Sequence, residues 1–223
     1  MLKLVGFDLD DTLIDDVAAT REGVSRLAGA WGATDLQQLV GAWQEASQFH
    51  FEQYINGLES LELNRIRRVQ DVARTFGTPL DEKTASHFFT VYRAGYEAGW
   101  QCFKDTIPVI SSLLSKGLIL GILTNGDGPT QRTKIQATGL SDWFSLVVIS
   151  GEFGRAKPDP SIFEYLLERA NSSAEAAFFV GDRLDKDVIP ARTVGMHAMH
   201  LDRSQGQTLA DIYPQLRKID TRF

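Results

Sequence analysis

Two carboxylates spaced by one residue stand near the start of the chain, in the segment Asp8-Leu9-Asp10-Asp11-Thr12. Carboxylates can ligate a divalent metal, attack an electrophile or transfer protons. A calcium loop that begins at Asp8 would need glycine at its sixth position and glutamate at its twelfth, where this chain has Leu13 and Ala19. A calcium loop is therefore excluded, which leaves a solvated acidic turn or a reactive pair.

Three further segments carry polar side chains that suit a reactive site. Thr124-Asn125-Gly126-Asp127-Gly128 offers a hydroxyl, an amide and backbone N–H groups that can cradle an anion. Its glycine spacing fits neither a dinucleotide fingerprint nor a Walker motif. Lys157 precedes Pro158, and Gly181-Asp182 begins a further acidic group that extends to Asp187. Taken alone, each segment is more often a turn or surface loop.

The elements that must position these residues alternate between strand and helix after residue 99. Short apolar runs predict buried parallel strands, and amphipathic stretches predict helices between them. The predicted strands are Leu2–Phe7, Leu118–Leu123, Leu146–Ile149, Ala177–Val180 and His197–Leu201. The predicted helices are Pro108–Lys116, Pro160–Ala170, Val188–Val194 and Leu209–Arg217. This alternation predicts an α/β fold, with a doubly wound parallel sheet covered by helices on both faces.

A different pattern fills residues 15–98, where apolar residues repeat at intervals of three and four. Val24, Leu27 and Trp31 begin the series, and Tyr92 and Tyr96 close it. Such spacing predicts amphipathic helices. The segment is therefore predicted to be an all-helical unit inserted after the first strand.

The predicted sheet explains why the polar segments matter together. The carboxyl ends of parallel strands meet at one edge, and ligands bind in the crevice beyond them. Asp8, Asp10, Thr124, Lys157 and Asp182 all follow predicted strands and are expected to converge there. Acids, a lysine and an oxyanion cradle together suit a divalent metal and a phosphate.

These segments resemble the four motifs of the haloacid dehalogenase superfamily, and the resemblance covers almost the whole chain. It implies a Rossmann-like core with strand order 5-4-1-2-3, formed by residues 1–14 and 99–223. It also implies a smaller helical cap over residues 15–98. Hinges are expected near Leu13–Asp16 and Gly99–Asp105, where the chain crosses between the two units. Asp11 differs from the family pattern, which most often has glycine at that position.

In the chemistry that this resemblance implies, Asp8 is the nucleophile that forms an aspartyl-phosphate. Asp10 protonates the leaving alkoxide and then deprotonates the attacking water, so it must begin protonated in a partly desolvated site. Relatives that cleave carbon–halogen bonds carry no acid at the position of Asp10, because a halide leaves without a proton. Asp10 therefore favours the phosphatases.

The resemblance also implies a Mg²⁺ site formed by the Asp8 carboxylate, the Asp10 main-chain carbonyl and the Asp182 carboxylate. Asp187 is expected to lie next to these ligands and to position them without binding the metal itself. The phosphate oxygens are expected to bind Thr124, the Asn125 backbone and Lys157. His197 and His200 are three residues apart on one predicted strand, so they face opposite sides and cannot both ligate one ion.

Composition limits the partners. The chain has 223 residues, with 23 Lys and Arg against 29 Asp and Glu, so its formal charge is −6. This balance argues against nucleic acid and anionic membranes as partners. No apolar run reaches the roughly 18 residues of a membrane span. The single cysteine, Cys102, fits a reducing compartment and predicts a cytoplasmic protein.

The sequence predicts a Mg²⁺-dependent hydrolase of small phosphorylated metabolites, and two alternatives stay open. One is an intramolecular phosphotransferase, or mutase, of a sugar phosphate, which would release no inorganic phosphate. The other is a phospho-accepting module like a signalling receiver. A receiver, however, has its acid pair far upstream of the phosphorylated aspartate and contains no helical insertion. The substrate and the oligomeric state are left open.

Overall fold

The computed structural model describes residues 1–223 and contains one sheet of five parallel strands. The strands are β1 Leu4–Phe7, β2 Ile119–Thr124, β3 Leu146–Ile149, β4 Ala177–Gly181 and β5 His197–His200. Their order across the sheet is β3-β2-β1-β4-β5. This order is the predicted 5-4-1-2-3 arrangement viewed from the other edge, so the fold prediction is confirmed.

Ten α-helices accompany the sheet. They are α1 Asp16–Trp31, α2 Leu36–Ile55, α3 Leu61–Thr75, α4 Glu82–Ala98, α5 Thr106–Ser115, α6 Gly128–Ala137, α7 Ser150–Phe153, α8 Pro160–Arg169, α9 Ile189–Thr193 and α10 Ile212–Leu216. The segment Leu184–Val188 forms a turn of π-helix before α9, and Leu209–Asp211 forms a 3₁₀ turn before α10. The sequence prediction omitted α6 and α7, and it included the 3₁₀ turn in the helix that it placed at Leu209–Arg217.

The chain forms two compact units. One comprises Met1–Asp15 together with Gln101–Phe223, and the other comprises Asp16–Trp100. The sequence prediction places the boundaries after residues 14 and 98, and the roles of the two units as catalytic core and cap stay a prediction.

The unit that contains the sheet has an apolar layer on each face of it. On one face, Val5 and Ile122 pack with Ile110 and Ile135. On the other, Leu4 packs with apolar residues of α8. Because side chains of a strand alternate between faces, both layers draw on the same short strands, which explains their nearly continuous apolar runs.

The helical unit consists of α1 to α4 around its own core. Trp43 and Leu39 from α2 are fully buried with Val24 of α1 and Val69 of α3. Three of its four helices begin at a polar cap: Asp35, Ser60 and Asp81 each accept a hydrogen bond from a backbone N–H in the following turn. None of the helices of the protein is both long enough and apolar enough to cross a membrane.

Candidate active site

The register of the sheet places the predicted site segments at one edge. Phe7 of β1 is paired with Ile122 of β2 on one side and with Val180 of β4 on the other. Asp8 follows β1 directly, Thr124 ends β2, and Asp182 follows the last residue of β4. Three of the predicted residues therefore lie at neighbouring strand ends.

Lys157 connects two carboxylates at this edge. Its Nζ lies 2.5 Å from Oδ1 of Asp8 and 2.6 Å from Oδ1 of Asp187, and all three side chains are buried. Burial lowers the pKa of Lys157, but the Asp187 and Asp8 carboxylates raise it by more, so the pKa is above its usual range. The lysine therefore stays positively charged between the two acids.

Three carboxylates face one another beside this lysine. One oxygen from each of Asp8, Asp182 and Asp187 lies within 4.8 Å of the others. Burial, opposed by Lys157, raises the pKa of Asp8 well above its usual value, and the neighbouring acids add to the rise. Burial and Asp187 likewise raise the pKa of Asp182 to about 6. One ammonium group does not balance three carboxylates, and this hard oxygen donor set fits Mg²⁺.

The close packing of Asp187 depends on a glycine. A Cβ at Gly181 would lie 2.3 Å from Oδ2 of Asp187, so no larger residue fits there without moving the carboxylate. The same Oδ2 accepts a hydrogen bond from the backbone N–H of Arg183 at 3.0 Å. The end of β4 thus fixes one oxygen of Asp187 and leaves the other for Lys157.

Asn125 braces the loop that carries the lysine. Its side-chain Nδ2 donates to the carbonyl of Lys157 at 2.9 Å, and its Oδ1 accepts from the backbone N–H of Lys157 at 2.8 Å. Because both ends of the amide are engaged, the backbone rather than the side chain of Asn125 remains for a phosphate oxygen. The use of its main chain for phosphate stays a prediction.

Asp10 is held by two side chains of α6 that the sequence analysis missed. Lys134 Nζ lies 2.6 Å from Oδ1 of Asp10, and Gln131 Nε2 donates to Oδ2 at 3.0 Å. Gln131 Nε2 also lies 2.8 Å from Oγ1 of Thr124, so one amide connects two predicted site residues. Gln131 and Lys134 are 3% and 1% exposed, although both are polar.

An ammonium group at hydrogen-bond distance favours the carboxylate form of Asp10. The expectation that Asp10 begins protonated in a partly desolvated site stays a prediction. The sequence analysis did not predict α6 because this helix is polar. A helix that buries Gln131 and Lys134 lacks the apolar repeat from which amphipathic helices are predicted. A buried lysine is rare without a partner, but the sequence gives no way to identify the partner.

The turn after β1 explains the departure at Asp11. Its φ is +57°, in the left-handed region where glycine is favoured and aspartate is tolerated. Its backbone N–H donates to the carbonyl of Ile14 at 2.7 Å.

His200 lies next to the acidic group. Its Nε2 lies 2.7 Å from the main-chain carbonyl oxygen of Asp182.

Comparison with known proteins identifies the family of this chain. The family profile of the haloacid dehalogenase-like hydrolases matches residues 2–195. A phosphoserine phosphatase from Thermus thermophilus is 31% identical over 99% of this chain and 97% of its own length. A glyceraldehyde 3-phosphate phosphatase from Methanopyrus kandleri is 30% identical over 94% of this chain and 88% of its own length.

Solved structures share the fold. The HAD-hydrolase YfnB from Bacillus subtilis, in a crystal structure bound to magnesium, superposes with a TM-score of 0.82 over 97% of this chain and 99% of that chain, at 24% identity. A 2-haloacid dehalogenase from Pseudomonas syringae superposes with a TM-score of 0.64 over 93% of this chain and 89% of that chain, at 29% identity. The match across nearly the whole chain shows that the protein belongs to the haloacid dehalogenase-like hydrolases and is a phosphatase of that family.

Proposed function

We propose that this protein hydrolyses small phosphomonoesters in a Mg²⁺-dependent reaction that passes through an aspartyl-phosphate on Asp8. One observation carries the proposal: the Asp8 carboxylate lies at 2.5 Å from a buried lysine and within 4.8 Å of the Asp182 and Asp187 carboxylate oxygens. A nucleophilic carboxylate needs such cationic surroundings to approach a phosphate, because like charges otherwise repel.

The three neighbouring carboxylates provide donors that would hold a divalent metal. In our proposal the Asp8 and Asp182 carboxylates and the main-chain carbonyl of Asp10 hold Mg²⁺, while Asp187 positions Lys157. A bound Mg²⁺ supplies positive charge that offsets the repulsion between Asp8 and the phosphate and polarises a phosphoryl oxygen.

The first half of the reaction forms the acyl phosphate. The Asp8 carboxylate attacks phosphorus in line with the ester oxygen, the phosphorus–oxygen ester bond breaks, and Asp10 gives its proton to the leaving alkoxide. Asp10 must take up this proton as the substrate binds, because Lys134 otherwise stabilises its carboxylate form. Thr124 and the Asn125 backbone bind the phosphoryl oxygens, and Lys157 balances their charge.

The second half releases phosphate. Asp10, now a carboxylate, takes a proton from a water molecule that attacks phosphorus, and the bond between phosphorus and the Asp8 oxygen breaks. Gln131 and Lys134 hold both oxygens of Asp10 through 3.0 Å and 2.6 Å contacts, so they orient it for each transfer. The net reaction consumes one water and yields an alcohol and inorganic phosphate.

The substrate class follows from the relatives. Two of them are named for phosphoserine and for glyceraldehyde 3-phosphate, both small phosphorylated metabolites. On that basis we propose that the substrate of this protein is also a small phosphomonoester. We also place the protein in the cytoplasm, because its single cysteine, Cys102, is a free thiol and fits a reducing compartment.

Hydrolysis of p-nitrophenyl phosphate tests the proposal. We expect turnover that stops on exhaustive chelation and returns with Mg²⁺, and we expect Asp8→Asn to lower the rate at least a thousandfold. Asp142→Asn is the matched control, because Asp142 is exposed and outside the site, and it should retain the wild-type rate. Rapid-quench measurements should show a burst of p-nitrophenol if breakdown of the aspartyl-phosphate is the slower step.

Two results would contradict the mechanism. Undiminished turnover after removal of divalent metal would exclude the metal site, and full activity of Asp8→Asn would exclude Asp8 as the nucleophile. Measuring inorganic phosphate in parallel separates hydrolysis from isomerisation of a sugar phosphate, which would leave the phosphate on the substrate.

A further inference from the structure

An arginine from the loop after β5 binds the turn that carries Asp10. Arg203 donates two hydrogen bonds to the main-chain carbonyl of Thr12, from Nη2 at 2.6 Å and from Nε at 3.2 Å. Thr12 lies two residues after Asp10 and is fully buried. The side chain of Arg203 is 14% exposed, so its guanidinium group is largely enclosed by the protein. The contact therefore joins the loop after β5 to the segment after β1.

The same guanidinium group also binds the segment with which the second part of the sheet-containing unit begins. Its Nη1 lies 3.0 Å and 3.2 Å from the two carboxylate oxygens of Asp105, and its carbon lies 3.7 Å from the centre of the Phe103 ring. Asp105 is itself fixed, because its Oδ2 accepts a hydrogen bond from the backbone N–H of Leu209 at 2.5 Å. Only arginine combines a planar fork of donors with a face that stacks on an aromatic ring.

Two consecutive carbonyls at the end of the turn are held by distant parts of the chain. The carbonyl of Thr12 is bound by Arg203. The next carbonyl, that of Leu13, accepts hydrogen bonds from the backbone N–H of Phe103 at 3.1 Å and from Oγ1 of Thr106 at 2.8 Å. The end of the turn is therefore fixed from two directions, and Arg203 provides one of them.

The turn is short and internally bonded, so a displacement of its end reaches Asp10. The backbone N–H groups of Leu13 and Ile14 both donate to the carbonyl of Leu9, at 2.9 Å and 3.0 Å. Asp10 also forms a backbone bridge with Ile14. A segment bonded in this way moves as one body rather than bending between Asp10 and Thr12.

We propose that Arg203 is a positioning residue for Asp10 that acts through the main-chain carbonyl of Thr12. The inference rests on the proposed function, in which the carboxylate of Asp10 reaches first the leaving oxygen and then a water. Gln131 and Lys134 hold this carboxylate itself, whereas Arg203 holds the backbone from which it projects. A displacement of a catalytic group by about 1 Å can lower a rate about a hundredfold.

Arg203→Met tests the proposal, because it removes the donors and keeps an unbranched apolar side chain against Phe103. We expect kcat for glycerol 2-phosphate to fall about tenfold to hundredfold while KM changes little. The loss on p-nitrophenyl phosphate should be smaller, because a phenolate leaves with less need of the proton from Asp10. A purely structural role would lower both rates by the same factor. Arg169→Met is the matched control, since Arg169 is exposed on α8 and lies 5.7 Å from the Tyr165 ring, and it should retain wild-type kinetics.

A double-mutant cycle shows whether Arg203 acts through Asp10. The measured quantity is the ratio of kcat/KM for glycerol 2-phosphate to that for p-nitrophenyl phosphate. In an Asp10→Asn background, Arg203→Met should lower this ratio no further, because the group that it positions has already been removed. If the effects of the two substitutions on the ratio instead multiply, Arg203 does not act through Asp10 and the proposal is overturned.

Arg203→Lys shows how much of the effect depends on the fork. Lysine keeps the positive charge beside Asp105 and one donor for the Thr12 carbonyl, so we expect it to recover part of the ratio that Arg203→Met loses. Circular dichroism and urea unfolding establish that each variant is folded. If Arg203→Met does not fold, Arg203→Lys replaces it in the cycle and should show a smaller fall of the same kind. An unchanged ratio in the folded variant would contradict the proposal.

Hydrogen–deuterium exchange tests the positioning without any turnover. In Arg203→Met, or in Arg203→Lys where the former does not fold, we expect the backbone amides of residues 9–14 to exchange faster than in the wild type, and those of α8 to exchange at the wild-type rate. Unchanged exchange in residues 9–14 would overturn the proposal. Absent hydrolysis of p-nitrophenyl phosphate by the wild type would instead contradict the proposed function, and the exchange measurement would still show whether Arg203 holds the turn.

Discussion

At the scale of the residue, our proposal makes Asp10 the group that decides which leaving group the site can expel. Its carboxylate is bound through both oxygens, by Lys134 at 2.6 Å and by Gln131 at 3.0 Å. These two contacts fix the position of the carboxylate, which in our proposal reaches first the leaving oxygen and then a water. An alkoxide needs the proton that such a group supplies, whereas a phenolate needs it much less.

We therefore expect Asp10→Asn to reduce the hydrolysis of an alkyl phosphate far more than that of an aryl phosphate. General acid catalysis contributes about a hundredfold or more, so the ratio of kcat/KM for glycerol 2-phosphate to that for p-nitrophenyl phosphate should fall by about that factor. Asp11→Asn is the matched control, since asparagine tolerates the left-handed φ of +57° at that position. Equal losses on both substrates in Asp10→Asn would contradict the assigned role.

At the scale of the element, α6 is the helix that organises the strand ends around it. It begins at Gly128, directly after the loop that follows β2, and it directs Gln131 and Lys134 inward beside Ile135. The single Nε2 of Gln131 lies within hydrogen-bond distance of both Asp10 and Thr124. The helix therefore couples the segment after β1 to the end of β2.

Gln131→Leu tests this coupling, because it removes the amide and keeps a side chain of similar size. We expect kcat to fall about tenfold to hundredfold, since misplacing a catalytic group by about 1 Å can cost that much, while KM changes little. Gln136→Leu, an exposed position on the same helix, should retain wild-type kinetics. Unchanged kcat in Gln131→Leu would mean that Lys134 alone positions Asp10.

The end of β4 has a comparable role through Gly181. Gly181→Ala would place a Cβ 2.3 Å from Oδ2 of Asp187, so that carboxylate must move away from its contact with Lys157. We expect a loss of about 2 kcal/mol in the free energy of unfolding and at least a tenfold fall in kcat/KM. Urea unfolding and steady-state kinetics measure the two effects.

The matched control for Gly181→Ala is Gly29→Ala. Gly29 is exposed on α1 and has open space around its Cα, so alanine should stabilise the protein by about 0.5–1 kcal/mol through helix propensity. If both variants behave alike, the close approach of Asp187 to β4 is not required for activity.

At the scale of the whole molecule, the two ends of the chain meet in the unit that contains the sheet. The Asp220 side chain is fully buried and accepts hydrogen bonds from the backbone N–H of Leu2 at 2.7 Å and from Nη2 of Arg222 at 2.8 Å. Arg222 in turn donates to the carbonyl of Leu2. This network closes the C-terminal segment over the start of β1, the strand that leads to Asp8.

The Asp220 network should make stability depend on pH in a defined direction. Its hydrogen bonds with Arg222 hold the pKa of Asp220 well below its usual value of 3.8. A lowered pKa means that the unfolded chain binds the proton more readily, so the stabilisation is complete above about pH 5 and is lost as the pH falls towards the folded pKa.

We expect Asp220→Asn to lower the free energy of unfolding by about 2 kcal/mol at pH 8 and at pH 6, and by less at pH 3.5. Urea unfolding followed by circular dichroism measures the difference at each pH. Asp142→Asn, at an exposed aspartate, should show almost no difference at any of them. A difference that grows on acidification would contradict the role of the Asp220 network.

The sequence by itself determined the fold class and the segments that are predicted to carry the chemistry, and its resemblance to a known family implied the strand order. Buried parallel strands require nearly continuous apolar runs, and the polar residues that follow them are fixed at the strand ends by covalent connection. Asp8 and Asp182 could therefore be placed at one edge before any distance was known. Residue types and local spacing were sufficient for this step.

Only the tertiary structure decided which distant side chains support those segments. Gln131 is 121 residues from Asp10, and Lys157 is 32 residues from Asn125, so neither contact leaves a periodic signal in the sequence. The sequence analysis also did not predict α6. Hydrophobic patterns reveal helices that bury apolar residues, whereas this helix buries an amide and an ammonium group. The partner of a buried polar group depends on where the folded chain places it, and that information becomes available only when the elements have packed.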